Sequence, residues 1–347
     1  MRKYFIMNNK NYPHMYALGE RGMALLLTLL VTIILTVVVL EFNYLIRVYA
    51  TLSGNLVDDL QAQAAARGGI ETAKALLLND LKNDMDKSIR VDTLEEEWAE
   101  EIDFTTPASS AKTKITDEMS KLNLNRLIKG TLSETAIESK NIEMVENMKY
   151  LFELLDLDPG LVDCIVDWID ENDQEEPLGA EDSYYQSLDP PRYCKNGPLD
   201  SVEELLLIKG FDEEILFGDD ENPGLAAYVT VFGDPKGLVN INTADEVVLS
   251  AVLKSEAAGS SAFDSRQDDP FETAADLTAR LPDIDPARKF ATGSSYFLIT
   301  ATGTVPAEGD PVRTLKIKTL LKRSMPQGLE TSENYLQLET AYWKVER

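Results

Sequence analysis

The stretch that decides the fold is residues 23–40, MALLLTLLVTIILTVVVL, which contain no charge, glycine or proline. With the flanking Phe42 and Tyr44, this stretch is long enough to cross the core of a bilayer as an α-helix. A buried core helix is the alternative, but such a helix seldom lacks a polar face. We therefore predict a transmembrane helix over residues 23–46.

The charges in front of this helix predict its orientation. The N-terminal segment carries Arg2, Lys3, Lys10 and Arg21 against one acid, Glu20. Positively charged flanks stay on the cytoplasmic side of the membrane. We therefore expect a single-pass protein with a cytoplasmic N-terminus and everything after residue 46 exported.

The overall charge excludes several classes of function. The 347 residues contain 33 Lys and Arg against 60 Asp and Glu, a formal net charge of −27. Nucleic-acid binding needs a basic surface to neutralise phosphates, so we predict none. The single histidine, His14, precedes the apolar stretch. The exported part therefore has no histidine for a Ser-His-Asp triad or a histidine-ligated metal.

The junction Gly19-Glu-Arg-Gly-Met23 resembles the prepilin-peptidase site of type IV pilins and secretion pseudopilins. The resemblance implies cleavage after Gly22, with Met23 as the first and N-methylated mature residue. Most members carry Glu at the fifth mature position, where this chain has Leu27. The departure implies a subunit with no other subunit ahead of it in the fibre, since a lone carboxylate in lipid is costly.

After the membrane, helical periodicity continues over residues 52–81, and Gly68-Gly69 marks either a kink or a close-packing point. Two Asn-x-Asn stretches, 122–127 and 239–244, each precede helical segments and predict two related helical units. The second also resembles helix-hairpin-helix modules, but its acidic surroundings argue against phosphate binding. The predicted helices span 138–155, 159–171, 199–208, 212–216, 244–254 and 272–281. The predicted strands span 228–232, 296–305, 313–321 and 335–345, the middle two as a hairpin.

Acidic residues concentrate in one segment of the chain. Residues 156–221 hold 21 Asp and Glu against three Lys and Arg, within a turn-rich sequence interleaved with aromatic residues. A solvated face is one interpretation. Like charges held close in an ordered loop repel unless a cation intervenes, and oxygen ligands of this kind suit Ca²⁺. A glycosidase-like carboxylate pair is a third interpretation that no feature of the sequence selects.

The two cysteines flank this acidic segment. Outside the cytoplasm an even number of cysteines favours pairing. We therefore predict a disulfide between Cys164 and Cys194, with two free thiols as the alternative. Closing a loop of about thirty residues would contribute roughly 3 kcal/mol.

Taken together, these stretches resemble the minor pseudopilin K family of the type II (general) secretion pathway. The most specific are VDWIDENDQEEPLGAEDSYY, NGPLDSVEELLLIKGF and VNINTADEVVL, and the resemblance covers nearly the whole chain. It implies an α+β, type IV pilin-like fold, in which a long N-terminal spine helix packs on a small antiparallel β-sheet. A large inserted α-helical domain would contain two SAM-like or helix-hairpin-helix-like units.

The resemblance also implies a function without catalysis. Members of that family cap the tip of a periplasmic pseudopilus together with the minor pseudopilins I and J and bind Ca²⁺ in the helical domain. Carried over, the calcium ligands would be Asp170, Asp173, Glu181 and Asp182. The implied partners are I, J, the other pseudopilins, prepilin peptidase and the inner membrane. The implied role is to initiate assembly and to help export through the outer-membrane secretin.

This interpretation divides the chain into six segments. They are a leader (1–22), the transmembrane helix (23–46), the soluble spine with the first pilin-fold segment (47–122), a first helical unit with the acidic loop (123–225), a second helical unit (226–290) and C-terminal strands (291–347). Two alternatives remain open: a minor or tip pilin of a type IV pilus, and a membrane-tethered periplasmic hydrolase that uses a carboxylate pair.

Overall fold

The apolar stretch forms part of one continuous α-helix in the computed structural model, α1 (Ala17–Lys87), which is 71 residues long. Among the described residues, only this helix is long and apolar enough to cross a membrane. Its threonines satisfy their hydroxyls within the helix: Thr32 donates to the carbonyl of Thr28 at 3.0 Å, and Thr36 donates to that of Thr32 at 2.8 Å. The predicted transmembrane helix therefore needs no external partner for these hydroxyl groups.

The structure describes residues 17–87, 89–129, 139–219, 222–282, 285–306, 313–324 and 337–346. It divides into two units, Met1–Leu60 and Gln61–Arg347. Residues 1–16 of the predicted leader lie outside the described residues, as do residues 307–311 of the predicted hairpin loop, 306–311. The finer boundaries predicted within the second unit stay predictions.

The second unit combines short helices with eleven strands among the described residues. The helices after α1 are α2 (Ile142–Leu154), α3 (Leu161–Ile169), α4 (Asp182–Tyr185), α5 (Glu213–Phe217), α6 (Glu246–Leu253), α7 (Glu256–Asp268) and α8 (Ala274–Arg280). The strands are β1 (Ile102–Thr105), β2 (Ser110–Asp117), β3 (Leu122–Asn123), β4 (Ile128–Lys129), β5 (Ser139–Lys140), β6 (Val229–Thr230), β7 (Val239–Asn240), β8 (Phe290–Ala291), β9 (Tyr296–Val305), β10 (Arg313–Ser324) and β11 (Gln337–Glu346).

The largest sheet is antiparallel with the order β1-β2-β9-β10-β11. The predicted hairpin of β9 and β10 and the predicted last strand are confirmed. Along β9 every second side chain is buried, so one face of the sheet carries a core and the other is more open. Since β2 pairs with β9, the residues between them form an insertion into the sheet, as predicted.

The sheet and the C-terminal half of α1 share one hydrophobic core. Ala66, Ile70 and Leu77 of the helix belong to the same buried cluster as Ile299 and Ile317 of the sheet. These three helical residues recur at spacings that place them on one face of the helix. Burying that stripe against the sheet is what makes the solvated half of the helix part of the second unit.

Glycines bring α1 close to the sheet. A Cβ added at Gly69 would collide with the side chain of Thr113, and one added at Gly303 of β9 would collide with the backbone carbonyl of Ala62. The helix is continuous through Gly68 and Gly69. Of the two expectations for this glycine pair, the structure therefore supports the close-packing point.

The insertion has its own hydrophobic core, contributed by α2, α3, α6, α7 and α8 and by the short strands. It also contains a duplicated arrangement. Strand β3 pairs in parallel with β6, and β7 pairs in parallel with β8. Each pair lies beside an Asn-x-Asn stretch, which agrees with the prediction of two related units. The predicted likeness of these units to SAM domains remains a prediction.

The two Asn-x-Asn stretches make the same hydrogen bonds. Asn123 and Asn240 each accept from the backbone N–H two residues later, as the predicted caps require. Asn125 exchanges two hydrogen bonds with the backbone of Leu199, at 2.7 and 2.9 Å. Asn242 exchanges two with the backbone of Phe271, both at 2.9 Å. These buried amides are thus used within the fold and are not directed to a phosphate.

Several sequence predictions of secondary structure need correction. The strand predicted at 228–232 is shorter in the structure, where it is β6 (Val229–Thr230). It pairs with β3 within the insertion. The helix predicted at 199–208 is a 3₁₀ helix, Val202–Leu207, followed by a turn at Gly210 with φ of +87°. The strands β1 and β2 and the helix α7 were not predicted, because their sequences are rich in polar or small residues with weak periodicity.

Candidate metal site

The acidic loop connects two short helices that position its carboxylates. Helix α3 ends at Ile169, so Asp170 is the first residue beyond it. Helix α4 begins at Asp182, and Glu181 precedes it with an extended backbone. Three of the predicted ligands therefore sit at the ends of ordered helices, which limits their movement.

Asp167 of α3 holds the acidic loop in its conformation. Its buried carboxylate accepts from the backbone N–H of Glu176 at 3.1 and 3.2 Å. A Cβ at Gly179 would collide with that carboxylate, so this close approach requires a residue without a side chain. Burial raises the pKa of Asp167 to about 6, partly offset by its backbone hydrogen bonds. Asp167 acts as an anchor that folds the loop back on α3.

Glu181 is the most buried of the four predicted ligands. Its side chain is only 4% exposed, yet neither carboxylate oxygen has a hydrogen-bond partner. A buried carboxylate that lacks partners is costly by several kcal/mol. Burial and, after it, the charges of neighbouring acids raise the pKa of Glu181 to about 7. The neighbouring acids whose charges raise the pKa of Glu181 are Asp167, Asp170, Asp173 and Asp182.

The charges of the other three predicted ligands, Asp170, Asp173 and Asp182, act on Glu181, although no three of the four carboxylates converge within 4.8 Å in the described structure. Asp170 is buried, and Asp173 is exposed. Asp182 keeps its orientation because one oxygen accepts from the backbone N–H of Cys194 at 2.7 Å. Its other oxygen accepts from Gln186 at 3.1 Å. Whether these carboxylates bind a metal ion remains a prediction.

The sequence did not predict one further candidate metal ligand, the side-chain oxygen of Asn196. Its amide nitrogen donates to Asp173 at 3.3 Å, while its buried side-chain oxygen has no partner. Its backbone φ is +47°, a left-handed conformation that asparagine tolerates better than most residues. The Asn196-Gly197 pair was a turn signal that could have identified this position.

These donors fit a hard divalent cation. All of them are carboxylate or amide oxygens, which is the ligand type that Ca²⁺ prefers. The orphaned oxygens of Glu181 and Asn196 would gain a partner, and the mutual repulsion of the acids would be neutralised. The arrangement suits calcium better than zinc, which favours sulfur and nitrogen ligands.

The structure corrects the predicted disulfide. Cys164 and Cys194 are both buried and free. The thiol of Cys164 donates to the carbonyl of Leu178 at 3.2 Å, and that of Cys194 donates to the carbonyl of Asp167 at 3.4 Å. Each sulfur is therefore directed to a different backbone group. Burial raises the pKa of Cys164 to about 11 and that of Cys194 to about 12, so both stay protonated near neutral pH.

The predicted processing residues belong to the N-terminal part of α1. Gly22 and Met23 are within α1, in the first unit. Nothing surrounds Gly22 within 4 Å of the position that a Cβ would take. Cleavage between the two residues remains a prediction.

Comparison with known proteins finds similarity to one family. The model of the family "Type II secretion system (T2SS), protein K" matches residues 120–218, which include the acidic loop. The type II secretion system protein K of Aeromonas hydrophila is 29% identical over 234 residues, 65% of this chain and 67% of that protein. The protein of the same name from Pseudomonas aeruginosa is 26% identical over 293 residues, 81% of this chain and 84% of that protein.

A solved structure has the same fold. It is the crystal structure of the GspK-GspI-GspJ complex from the enterotoxigenic Escherichia coli type 2 secretion system. The match has a TM-score of 0.64 and 22% identity, and it covers 85% of this chain and 99% of the other. The resemblance to type II secretion system protein K inferred from the sequence is thereby confirmed.

Proposed function

We propose that this protein is a non-enzymatic minor pseudopilin that caps the tip of the type II secretion pseudopilus. One observation carries the proposal: the helical insertion that matches the protein K family sits within an antiparallel sheet that shares a core with α1. The related E. coli protein was solved in a complex with GspI and GspJ. By this proposal, I- and J-type minor pseudopilins of the same organism are the partners.

The mechanism would be assembly through α1. Its apolar residues are exposed from Met23 to Leu60. In the membrane these side chains would face lipid, and in the fibre they would pack against the spines of other pseudopilins. We propose an inner-membrane anchor with the second unit in the periplasm. The tip would help to initiate the fibre and to push substrates through the secretin.

Co-purification tests the tip complex. A tagged full-length chain, co-expressed with its I- and J-type subunits and extracted in detergent, should retain both. Leu56 is 60% exposed on α1, and Leu56→Glu should lower the recovery of the partners because a charge enters an apolar interface. Asp103→Lys, on an exposed position of β1, is the matched control. Failure of the unsubstituted chain to retain either partner would contradict the proposal.

The type IV pilus alternative makes a different genetic prediction. Deleting the gene should abolish type II secretion and leave type IV pili intact. Loss of pili with normal secretion would favour the alternative. The tethered-hydrolase alternative is weakened by the names of the relatives, all of which are components of a secretion system.

We further propose that Ca²⁺ binds in the acidic loop through Glu181, Asp170, Asp173 and Asp182, with the side-chain oxygen of Asn196 as an additional donor. The orphaned, buried carboxylate of Glu181 supports this proposal most directly. The ion would neutralise the repulsion among the acids and hold the loop between α3 and α4. Its role would be structural.

Calcium dependence of stability provides the test. EDTA should lower the melting temperature of the full-length protein, and Ca²⁺ should restore it. A concentration 100 times the Kd contributes about 2.7 kcal/mol, which corresponds to a shift of roughly 5–10 °C. Glu181→Gln should reduce the calcium-dependent shift, whereas Glu175→Gln, at an exposed position of the same loop, should preserve it. If the calcium-dependent shift in melting temperature were unchanged in Glu181→Gln, the loop would be interpreted as a solvated acidic face.

A further inference from the structure

A second group of acids lies far along the chain from the acidic loop, where α1 ends. Asp80 belongs to the last turns of α1, while Asp92 and Glu96 follow in the segment after the helix. One carboxylate oxygen from each of these three residues lies within 4.8 Å of the other two. None of these residues had been predicted from the sequence to form a site.

The positive charge at this group does not balance the acids. Arg323 of β10 donates to Asp80 at 2.6 Å and to both oxygens of Asp92 at 2.5 and 2.6 Å. A second guanidinium, that of Arg90, donates instead to Ser294 and Ser295. The acids that share this environment are Asp80, Asp84, Asp92, Glu96 and Asp117. With all acids ionised, five carboxylates therefore face two guanidinium groups.

Asp84 provides an independent indication of a missing partner. It lies one helical turn after Asp80, so both side chains project from the same face of α1. The side chain is only 5% exposed, and its Oδ2 atom has no hydrogen-bond partner. Its carboxyl group also interacts electrostatically with Asp80 and Asp92. A buried carboxylate oxygen without a donor is costly, and here its neighbours are other acids.

Glu96 is held in position by the protein. Its Oε2 atom accepts from the indole N–H of Trp98 at 2.5 Å and from the backbone N–H of Thr93 at 3.3 Å. Burial, followed by the charge of Asp80, raises the pKa of Glu96 to about 7. The carboxylate is thus oriented toward a site where negative charge is in excess.

We infer that Asp80, Asp84, Asp92 and Glu96 form a second divalent-cation site of the Ca²⁺ type, separate from the acidic loop. The donor set is oxygen only, as a hard cation requires. One divalent ion would reduce the charge excess from three to one and would give Asp84 Oδ2 a partner. It would also tie the end of α1 to the 89–96 segment, which Arg323 already links to β10.

The site can be isolated from the loop by using full-length Glu181→Gln protein in detergent. Equilibrium dialysis with Ca²⁺ should find at least one ion bound per chain in this variant. Because Trp98 contacts Glu96, Tb³⁺ bound here should emit when tryptophan is excited. Asp84→Asn and Glu96→Gln, made in the same background, should each weaken the Tb³⁺ affinity at least tenfold. Glu95→Gln, at the exposed neighbouring position, should leave it unchanged.

Two outcomes would overturn the inference. One is the absence of bound Ca²⁺ in Glu181→Gln, a result that does not depend on how Asp84→Asn or Glu96→Gln folds. The other is unaltered Tb³⁺ emission in both of those variants when their far-ultraviolet circular dichroism matches that of the parent. Since every arm carries Glu181→Gln, which weakens the loop site equally in all of them, failure here leaves the proposed function and its calcium site untouched.

Discussion

At the scale of single residues, the most informative side chains are buried polar ones. Glu181 has two orphaned oxygens, whereas Asn125 and Asn242 are fully engaged with backbone groups. The repeated spacing of the asparagines and the high density of the acids made both groups recognisable in the sequence. It could not reveal which acids are buried, because burial depends on how α3, α4 and the loop pack together.

The buried amide of Asn242 should be important for stability. Asn242→Ala removes the donor to Phe271 O and Thr292 O and the acceptor for Phe271 N–H. Each buried partner left unsatisfied costs about 1–3 kcal/mol. We expect a clearly lower melting temperature by circular dichroism.

The matched control is Asn172→Ala, because Asn172 is exposed and its side chain accepts only from the backbone N–H of Gln174 in a local turn. This control should shift the melting temperature little. Asn125→Ala, at the equivalent position of the first unit, should behave like Asn242→Ala. If Asn242→Ala melted like the control, the duplicated hydrogen bonds would not be a structural requirement.

At the scale of elements, the contact between α1 and the sheet depends on small residues. The alternation in β9 and β10 was sufficient to predict both strands. Strand β2, SAKTKITD, buries Ala111, Thr113, Ile115 and Asp117, of which only two are apolar, so its pattern is too weak to predict. Its place in the sheet comes from pairing with β9 on one side and β1 on the other.

Gly303 tests the close approach of α1 to the sheet. Gly303→Val would force a side chain against the backbone carbonyl of Ala62, which cannot move without displacing the helix. We expect a loss of about 1–3 kcal/mol, read as a lower melting temperature of the full-length protein. Gly54→Ala is the control, since its Cβ would meet no atom within 4 Å and alanine favours the helix. Equal stability of the two variants would contradict a tight contact at Gly303.

At the scale of the whole molecule, the chain combines an apolar N-terminal helix with a strongly acidic remainder. Of the formal net charge of −27, −18 lies in residues 156–221, which include the acidic loop. The function we propose requires that the precursor lose its leader before the spine enters a fibre. The similarity to type II secretion system protein K supports this expectation, and a processing experiment can test it directly.

Substitution of Gly22 should block maturation. We expect Gly22→Leu to leave a precursor of unreduced size, because the resemblance to prepilin sites places the scissile bond after a small residue. Mass spectrometry of the purified chain should find the native N-terminus at a methylated Met23 and the variant with its leader attached. Ser53→Ala, at an exposed position of α1, should be processed normally. Normal trimming of Gly22→Leu would refute the predicted site.

The sequence by itself determined the membrane-spanning helix, the paired Asn-x-Asn units, the last strands of the sheet and the acidic loop. These features depend on local periodicity, turn chemistry and composition, which are properties of short segments. Only the tertiary structure decided that Cys164 and Cys194 form separate hydrogen bonds, and that Asp80 and Glu96 meet at the end of α1. Both arise from residues distant along the chain whose approach is set by packing, and no local pattern encodes that distance.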